Sequence, residues 1–310
     1  MAQNGAVRAP VKVACVQAEP VILDREATID RLGELTAEAA RNGAQLVVFP
    51  EAFVPAYPSS AWARFLGGWG DARAKAAFAQ LARESVEIPG PAADRIAEAA
   101  REHGVWLVVG VDEIERDRPG TLYNTLLFFA PDGTLAQKHR KLMPTNHERM
   151  VWGMGDGSGI GAVDTPFGRV GGLICWENYM PLARFALYAS GVEIYVASTA
   201  DDGERWQSSM VHIALESRAY VISCCHFQDA AHYPPDFPLR DEIADKGLIG
   251  RGGSAILAPD GAYLAGPLWD EEGILYADLD PARLLEERQR FDPVGHYNRP
   301  DVFKFEVRTP

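Results

Sequence analysis

Cysteine is scarce in this sequence, and it has neither long apolar runs nor an excess of basic residues. Four cysteines in 310 residues are too few for a disulfide-stabilised scaffold. No stretch approaches the roughly 18 apolar residues of a membrane span, and the first segment lacks the apolar region of a secretory signal peptide. The 43 acidic residues outnumber the 30 basic ones, for a net charge of −13, which argues against nucleic-acid or membrane partners. We therefore expect a cytoplasmic protein with reduced cysteines.

The sequence does contain enough apolar residues, 47%, to bury a core. VKVACVQA and QLVVFPEAF flank a predicted helix over residues 27–41, a second helix is predicted over 92–102, and RVGGLIC and EIYVAS flank a third. Turn motifs APDG and PDG each join two strand patterns and predict antiparallel hairpins. Together these patterns predict an α/β fold with mixed sheets covered by helices. Because no linker interrupts them, we expect one domain over residues 1–310, with residues 292–310 as a C-terminal arm.

Three predicted strands run directly into reactive side chains. Glu51 follows QLVVFP, Lys141 follows the strand around residues 137–140, and Cys175 follows GGLI. Ligands of open α/β sheets bind beyond the carboxyl ends of strands. A carboxylate, an amine and a thiol at three strand ends therefore predict a catalytic site.

Each of these residues has a chemical role that fits its setting and a simpler structural alternative. A thiol on a strand-to-helix bend suits a nucleophile, although most free cysteines only pack in the core. Burial would raise the pKa of Glu51 towards that of a general base, but it could be a surface carboxylate. Lys141 could stabilise a developing anion or lie on a solvated edge strand. A cysteine protease dyad is also open, and its candidate histidines are His139, His147, His226 and His296.

Longer motifs carry a specific resemblance. FPEAF at residues 49–53, HRKLMPT at 139–145 and GGLICWENYMPLAR at 171–184 resemble the carbon–nitrogen hydrolase superfamily. HERMVWGMGDGS at 147–158, WEN after the cysteine, and VGHYNRPDVF at 294–303 resemble its nitrilase branch. The motifs span essentially the whole chain in the family's order.

The resemblance implies a four-layer α-β-β-α sandwich and a Glu–Lys–Cys triad. Glu51 is then the general base, Lys141 the cationic stabiliser and Cys175 the nucleophile, whose thiolate form the positive centre would favour. Glu148 in HERM matches a second family glutamate, which positions lysine and substrate, although a structural salt-bridge role is the alternative. Tyr57 and Trp176 are the expected substrate-binding residues. No metal or organic cofactor is implied, and the family forms homodimers or larger homo-oligomers.

The function implied is that of a nitrilase, which converts a small-molecule nitrile and two waters into a carboxylic acid and ammonia through thioimidate and thioester intermediates. The same triad leaves three enzymatic alternatives open: an amidase, an N-carbamoyl hydrolase, and a cyanide hydratase or dihydratase. A subunit that keeps the triad but serves mainly in protein interaction is an alternative of another class.

Overall fold

The computed structural model describes residues 8–309. In that part of the chain the strands are, in order, β1 (Val11–Gln17), β2 (Leu46–Val48), β3 (Val86–Glu87), β4 (Trp106–Glu115), β5 (Arg118–Phe129), β6 (Leu135–Arg140), β7 (Ala162–Thr165), β8 (Gly168–Gly172), β9 (Ile194–Thr199), β10 (Tyr220–Cys225), β11 (Phe227–Asp229), β12 (Leu248–Leu257), β13 (Tyr263–Trp269) and β14 (Gly273–Leu279). The α-helices are α1 (Arg25–Arg41), α2 (Ser60–Ala63), α3 (Ala72–Glu84), α4 (Pro91–His103), α5 (Pro181–Ala189), α6 (Glu204–Ser217) and α7 (Pro281–Arg290).

Helix boundaries follow local capping signals. The Asp24 side chain accepts a hydrogen bond from the Ala27 N–H at the start of α1, which satisfies one of the free N–H groups of the first turn. Gly104 ends α4 in the left-handed conformation, with φ of 63°, where a residue without a Cβ is unstrained. The helices predicted over 27–41 and 92–102 are therefore confirmed, each with slightly longer bounds.

The strands form two mixed sheets. In the first, the order is β14-β1-β2-β4-β5-β6, with β3 also paired to β4; β1, β2 and β4 are parallel. In the second, the order is β11-β12-β10-β9-β8-β7, with β13 paired to β12; β8, β9 and β10 are parallel. Both predicted hairpins, β5–β6 and β12–β13, are antiparallel.

Three apolar clusters define four layers. Side chains of a strand alternate between its two faces, so in β1 Val13 and Cys15 face the second sheet while Ala14 and Val16 face α1 and α4. A third cluster packs α5 and α6 against the far face of the second sheet. The order is helices, sheet, sheet, helices, which confirms the predicted α-β-β-α sandwich.

The chain continues beyond α7 without regular secondary structure. Residues 292–309 contain no helix or strand, and the Phe305 ring packs edge-on against Phe185 of α5 at 4.9 Å. This segment therefore lies over the outer helical layer of the second sheet. Within residues 8–309, no helix combines the length and apolar character needed to cross a bilayer.

Candidate active site

Glu51 stands at the end of β2 in a turn that presses against β4. A Cβ on Gly110 of β4 would lie 2.7 Å from the Glu51 Cα and 2.4 Å from the Ala52 nitrogen, so only glycine admits this approach. The Glu51 Oε1 accepts hydrogen bonds from Asn124 Nδ2 at 2.6 Å and Lys141 Nζ at 2.7 Å. Its other oxygen has no hydrogen-bond partner among the described residues, so it is free to accept a proton.

Lys141 follows β6 and lies fully buried between two carboxylates. Its ammonium donates to Glu51 Oε1 at 2.7 Å and to Glu148 Oε2 at 2.6 Å, which uses two of its three N–H groups. Its backbone N–H donates to the Asn124 carbonyl at 2.8 Å, which continues the β5–β6 pairing by one residue. The hairpin therefore sets the position of the ammonium.

Glu148 belongs to a short 3-10 helix, Asn146–Met150. Its Oε2 accepts from Lys141 and from the Thr145 backbone N–H at 2.6 Å, while its Oε1 accepts from the Tyr57 hydroxyl at 2.7 Å. Both oxygens of this buried carboxylate are thus occupied, which fixes its orientation and, through it, that of Lys141.

Cys175 opens a second 3-10 helix, Cys175–Tyr179, directly beyond β8. Its φ of 49° is a left-handed conformation that a non-glycine residue adopts only under local constraint. The Thr199 hydroxyl lies 3.2 Å from the sulfur and donates to it. Single ligand atoms of Cys175, Glu51 and Glu148 all lie within 4.8 Å of one another. The structure therefore brings the four residues of the candidate catalytic set together.

The electrostatics of this cluster follow from burial and from compensation between charges. Burial raises the pKa of Glu51 to about 7; the Lys141 ammonium opposes this rise and the Glu148 charge adds to it. Burial lowers the pKa of Lys141, but the charges of Glu51, Cys175 and Glu148 outweigh burial and raise its pKa overall. The lysine therefore stays protonated, as expected, while Glu51 can exchange a proton near neutral pH.

The thiol differs from the expectation that the positive centre would favour thiolate. Burial and the Glu51 charge raise the pKa of Cys175 well above its usual range, and Lys141 offsets only part of the rise. The physical reason is that the ammonium is already shared between two carboxylates. In the resting site the sulfur therefore carries a proton that a base must remove.

Glu177 ties the lysine strand to the cysteine turn, and the sequence analysis missed it. Its carboxylate accepts from the Leu142 N–H at 2.6 Å and the Ile174 N–H at 2.7 Å, and His139 Nε2 lies 3.0 Å away. The contacts therefore join the residues that flank Lys141 and Cys175. Burial raises the pKa of Glu177, but the His139 charge and these hydrogen bonds lower it overall.

A cavity of about 340 Å³ reaches the sulfur from the surface. Tyr57 and Trp176 both line it, together with Cys175 and Glu148. The Trp176 Nε1 donates to Asp201 Oδ2 at 2.8 Å, which holds the ring at the cavity wall. This volume lies at the small end of the usual range for ligand pockets.

The chain segment that follows Glu51 contains two tryptophans that do not line this cavity. Trp62 is buried and donates from its Nε1 to the Tyr233 hydroxyl at 2.7 Å. Trp69 is fully exposed beside a separate apolar hollow. Tyr57, unlike these two tryptophans, lines the cavity that reaches the Cys175 sulfur.

The candidate histidines of a protease dyad have other partners. His139 contacts Glu177, and His226 contacts the Glu51 carbonyl; burial lowers the pKa of His226 to about 4. His147 lies 3.4 Å from the Tyr57 hydroxyl, and the exposed His296 packs edge-on against Tyr297. The side-chain partner of the sulfur in the described chain is a threonine, so the geometry does not form a cysteine–histidine dyad.

Three side chains here could in principle bind a metal, namely Glu51, Glu148 and Cys175. The Lys141 ammonium lies between the two carboxylates and already supplies their counter-charge. It would also repel a cation placed among them. This donor set therefore suits an internal ion pair better than a metal site.

The comparisons with known proteins agree with this geometry. Residues 12–289 match the carbon–nitrogen hydrolase family. The chain belongs to this family. Nitrilase 1 of Arabidopsis thaliana is 45% identical over 302 residues, covering 96% of this chain and 86% of that protein. An aliphatic nitrilase of Sinorhizobium fredii is 46% identical over 296 residues, covering 96% of this chain and 95% of that protein. These relatives place this carbon–nitrogen hydrolase in the nitrilase branch.

Solved structures show the same fold. A carbon–nitrogen hydrolase from Helicobacter pylori has a TM-score of 0.75 at 21% identity, covering 96% of this chain and 97% of that one. A Saccharomyces cerevisiae member of branch 10 of the nitrilase superfamily has a TM-score of 0.73, also at 21% identity, with 94% and 98% covered. The α-β-β-α sandwich is thus the fold of these carbon–nitrogen hydrolases.

Proposed function

We propose that this carbon–nitrogen hydrolase is a nitrilase, which converts an organic nitrile and two waters into a carboxylic acid and ammonia. The observation that carries this proposal is the buried cluster of a thiol, an ammonium and two carboxylates at the base of one open cavity. The similarity to proteins named as nitrilases over 96% of the chain supports the nitrile as substrate.

In the first half-reaction, Glu51 removes the proton of the Cys175 thiol as the sulfur attacks the nitrile carbon. A carbon–sulfur bond forms, one π bond of the nitrile breaks, and negative charge develops on nitrogen. Lys141 lies beside the attacked group and stabilises that charge, while the proton held by Glu51 passes to nitrogen. The result is a thioimidate on Cys175.

In the second half, Glu51 activates a water that adds to the thioimidate carbon. Both protons of this water pass to the nitrogen, one of them by way of Glu51, and the carbon–nitrogen bond breaks to release ammonia and leave a thioester. A second water, activated in the same way, breaks the carbon–sulfur bond, releases the acid and restores the thiol. A glutamate with a pKa of about 7 can accept and return protons at each of these steps. Glu148 acts as a positioning residue for the ammonium, and Tyr57 and Trp176 contact the substrate.

The direct test is Cys175→Ala, assayed by ammonia release from a panel of nitriles. We expect no turnover and an unchanged melting temperature, because the substitution leaves the core around the cavity intact. Cys15→Ala is the matched control: it removes another buried thiol, whose sulfur contacts the Ser223 carbonyl between the sheets, and should keep full activity. Full turnover by Cys175→Ala would contradict the proposal.

Amide chemistry is the closest rival. A relative in Nicotiana tabacum, 46% identical over 302 residues and covering 96% of this chain and 86% of that protein, is named a bifunctional nitrilase/nitrile hydratase. Amide and acid should therefore both be quantified. Faster ammonia release from matching amides or N-carbamoyl compounds than from nitriles would favour those activities. Cyanide consumption would favour a cyanide hydratase or dihydratase. A Cys175 thiol that does not react with electrophiles would favour a role in protein interaction.

We also propose a homodimer or larger homo-oligomer of single-domain subunits in the cytoplasm. Exposed apolar side chains such as Leu182 of α5, which is 72% exposed, support self-association. The four cysteines are free and buried, which is consistent with a reducing compartment. Light scattering measures the oligomer size, and a monomer across working concentrations would contradict this part of the proposal.

A further inference from the structure

The cavity above the candidate nucleophile has a one-sided charge pattern. Its acidic lining residues are Glu148, Asp201 and Asp202, and its lining contains no lysine or arginine within the described chain. The remaining titratable base, His147, is neutral near pH 7 because burial lowers its pKa. Lys141 lies at the base, where two carboxylates already compensate its charge. A substrate therefore enters through a negative environment.

The two aspartates on the cavity wall differ in the number of hydrogen bonds that their carboxylates accept. Asp201 uses both oxygens, because Oδ2 accepts from Trp176 Nε1 at 2.8 Å and Oδ1 accepts from the Gly203 N–H at 2.9 Å. Asp202 Oδ2 accepts one hydrogen bond, from the Arg251 N–H at 3.1 Å. The Arg251 guanidinium makes its hydrogen bonds to Asp270, so its charge offsets that of Asp202 only in part. Asp202 therefore places on the cavity wall a half-buried carboxylate without a side-chain ion pair.

We propose that Asp202 is a specificity-determining residue, which makes the cavity prefer nitriles with a neutral or cationic far end over nitriles with a carboxylate there. This inference rests on the proposed nitrilase function and narrows its substrate class. A cube with the cavity's volume of about 340 Å³ has an edge of about 7 Å, which is comparable with the Debye length of about 8 Å at physiological salt. The charge of Asp202 is therefore felt throughout the cavity.

The size of the effect follows from Coulomb's law. At about 7 Å, a unit charge changes the binding of another unit charge about threefold even with the dielectric constant of water, and by more in a partly buried site. Removing the charge should weaken a cationic substrate and strengthen an anionic one. The ratio of kcat/KM between them should therefore fall by about tenfold or more.

The experiment compares three nitriles of equal chain length, with an ω-ammonium, an ω-methyl and an ω-carboxylate end. The wild-type protein should hydrolyse the neutral and cationic nitriles with much higher kcat/KM than the anionic one, and added salt should narrow the gap. Asp202→Asn, which preserves the shape of the side chain, should lower the cation-to-anion ratio about tenfold.

Asp132→Asn is the matched control, because it removes the same charge from the exposed β5–β6 turn, at the opposite end of β6 from Lys141. It should leave the ratio unchanged, which separates a local effect from that of the net charge. An unchanged ratio in Asp202→Asn, or equal changes in both variants, would overturn the inference. Failure of the wild type to hydrolyse these three nitriles while it hydrolyses others of the panel would also overturn the inference, whereas failure with every nitrile of the panel would instead overturn the proposed function.

Discussion

Glu177 joins the two chain segments that carry the candidate lysine and cysteine, so its replacement should disturb both stability and catalysis. The substitution Glu177→Gln keeps the size of the side chain and one acceptor oxygen. It replaces the other oxygen with an NH₂ group that cannot accept. One of the N–H donors, from Leu142 or Ile174, is then left facing another donor, and the charge beside His139 is lost.

The magnitude follows from these contacts. A hydrogen bond to a charged group contributes about 1.5–3 kcal/mol, and leaving a buried N–H donor without its acceptor costs about 1–3 kcal/mol. We therefore expect a loss of about 3 kcal/mol at neutral pH. For a chain of this size, about 2 °C per kcal/mol gives a melting temperature lower by about 6 °C.

The pH dependence of this loss has a definite sign. The pKa of Glu177 in the folded protein is lowered from 4.5, so its stabilising contribution is fully present above pH 4.5 and is lost as the pH falls through the folded pKa. The difference in melting temperature between Glu177→Gln and the wild type should therefore shrink below pH 4.5.

The matched control is Glu113→Gln. Glu113 is equally buried and pairs with Lys138 and Arg140 of β6, the strand that precedes Lys141. Both variants should melt at lower temperature, but only Glu177→Gln should lower kcat, by about tenfold or more, because small displacements of reacting groups are costly. The measurements are calorimetry and nitrile turnover well below the melting temperature. Equal kcat in the two variants would refute the positioning role of Glu177. A melting temperature of Glu177→Gln equal to that of the wild type would refute the estimated loss of stability.

Three further predictions concern the triad and its neighbours. The kcat/KM should rise with pH through about 7, because the Glu51 base must be ionised and its pKa is about 7; a profile flat from pH 5 to 8 would exclude it as the base. Tyr57→Phe removes the 2.7 Å hydrogen bond to Glu148 and should lower kcat/KM about tenfold, whereas wild-type kinetics would show that the hydroxyl is dispensable. Thr199→Val removes the donor to the Cys175 sulfur and should slow alkylation by iodoacetamide at pH 7 about threefold or more; faster alkylation would contradict this role of the hydroxyl.

The fold and the ends of three strands could be predicted because they depend on local patterns. Alternating and helical periodicities identify the elements, and Glu51, Lys141 and Cys175 each follow a strand directly in sequence. The carboxyl ends of parallel strands meet at one edge of a sheet, but β2 and β6 belong to the first sheet and Cys175 follows β8 of the second. The family motifs then supplied the pairing of the two sheets, which periodicity alone does not determine.

Asn124 shows why the supporting residues were missed. Its side-chain amide donates a hydrogen bond to Glu51. The hairpin predicted around APDG places Asn124 only approximately, in the part of β5 that faces the end of β6. Counting outward from the observed pair Phe129–Leu135, however, would place Tyr123 opposite Lys141. An irregularity between Phe128 and Phe129 shifts the register by one residue, and the observed pairing continues to Asn124. A shift of one residue exchanges the two faces of a strand, so the partner of Glu51 depends on a bulge that the sequence does not reveal.

The buried cluster also explains why the reaction depends on ionised Glu51 rather than on a preformed Cys175 thiolate. Burial in this dry site raises the pKa of Glu51 to about 7, because the Lys141 ammonium opposes the rise only in part and the Glu148 charge adds to it. Because that pKa is raised relative to the unfolded chain, ionised Glu51 costs stability as the pH rises through 7. The same burial holds the sulfur protonated, so nucleophile and base are paired as thiol and carboxylate until a substrate arrives. A site with a compensated, solvated glutamate would be more stable, but its base would be too weak to remove the proton from a thiol of raised pKa.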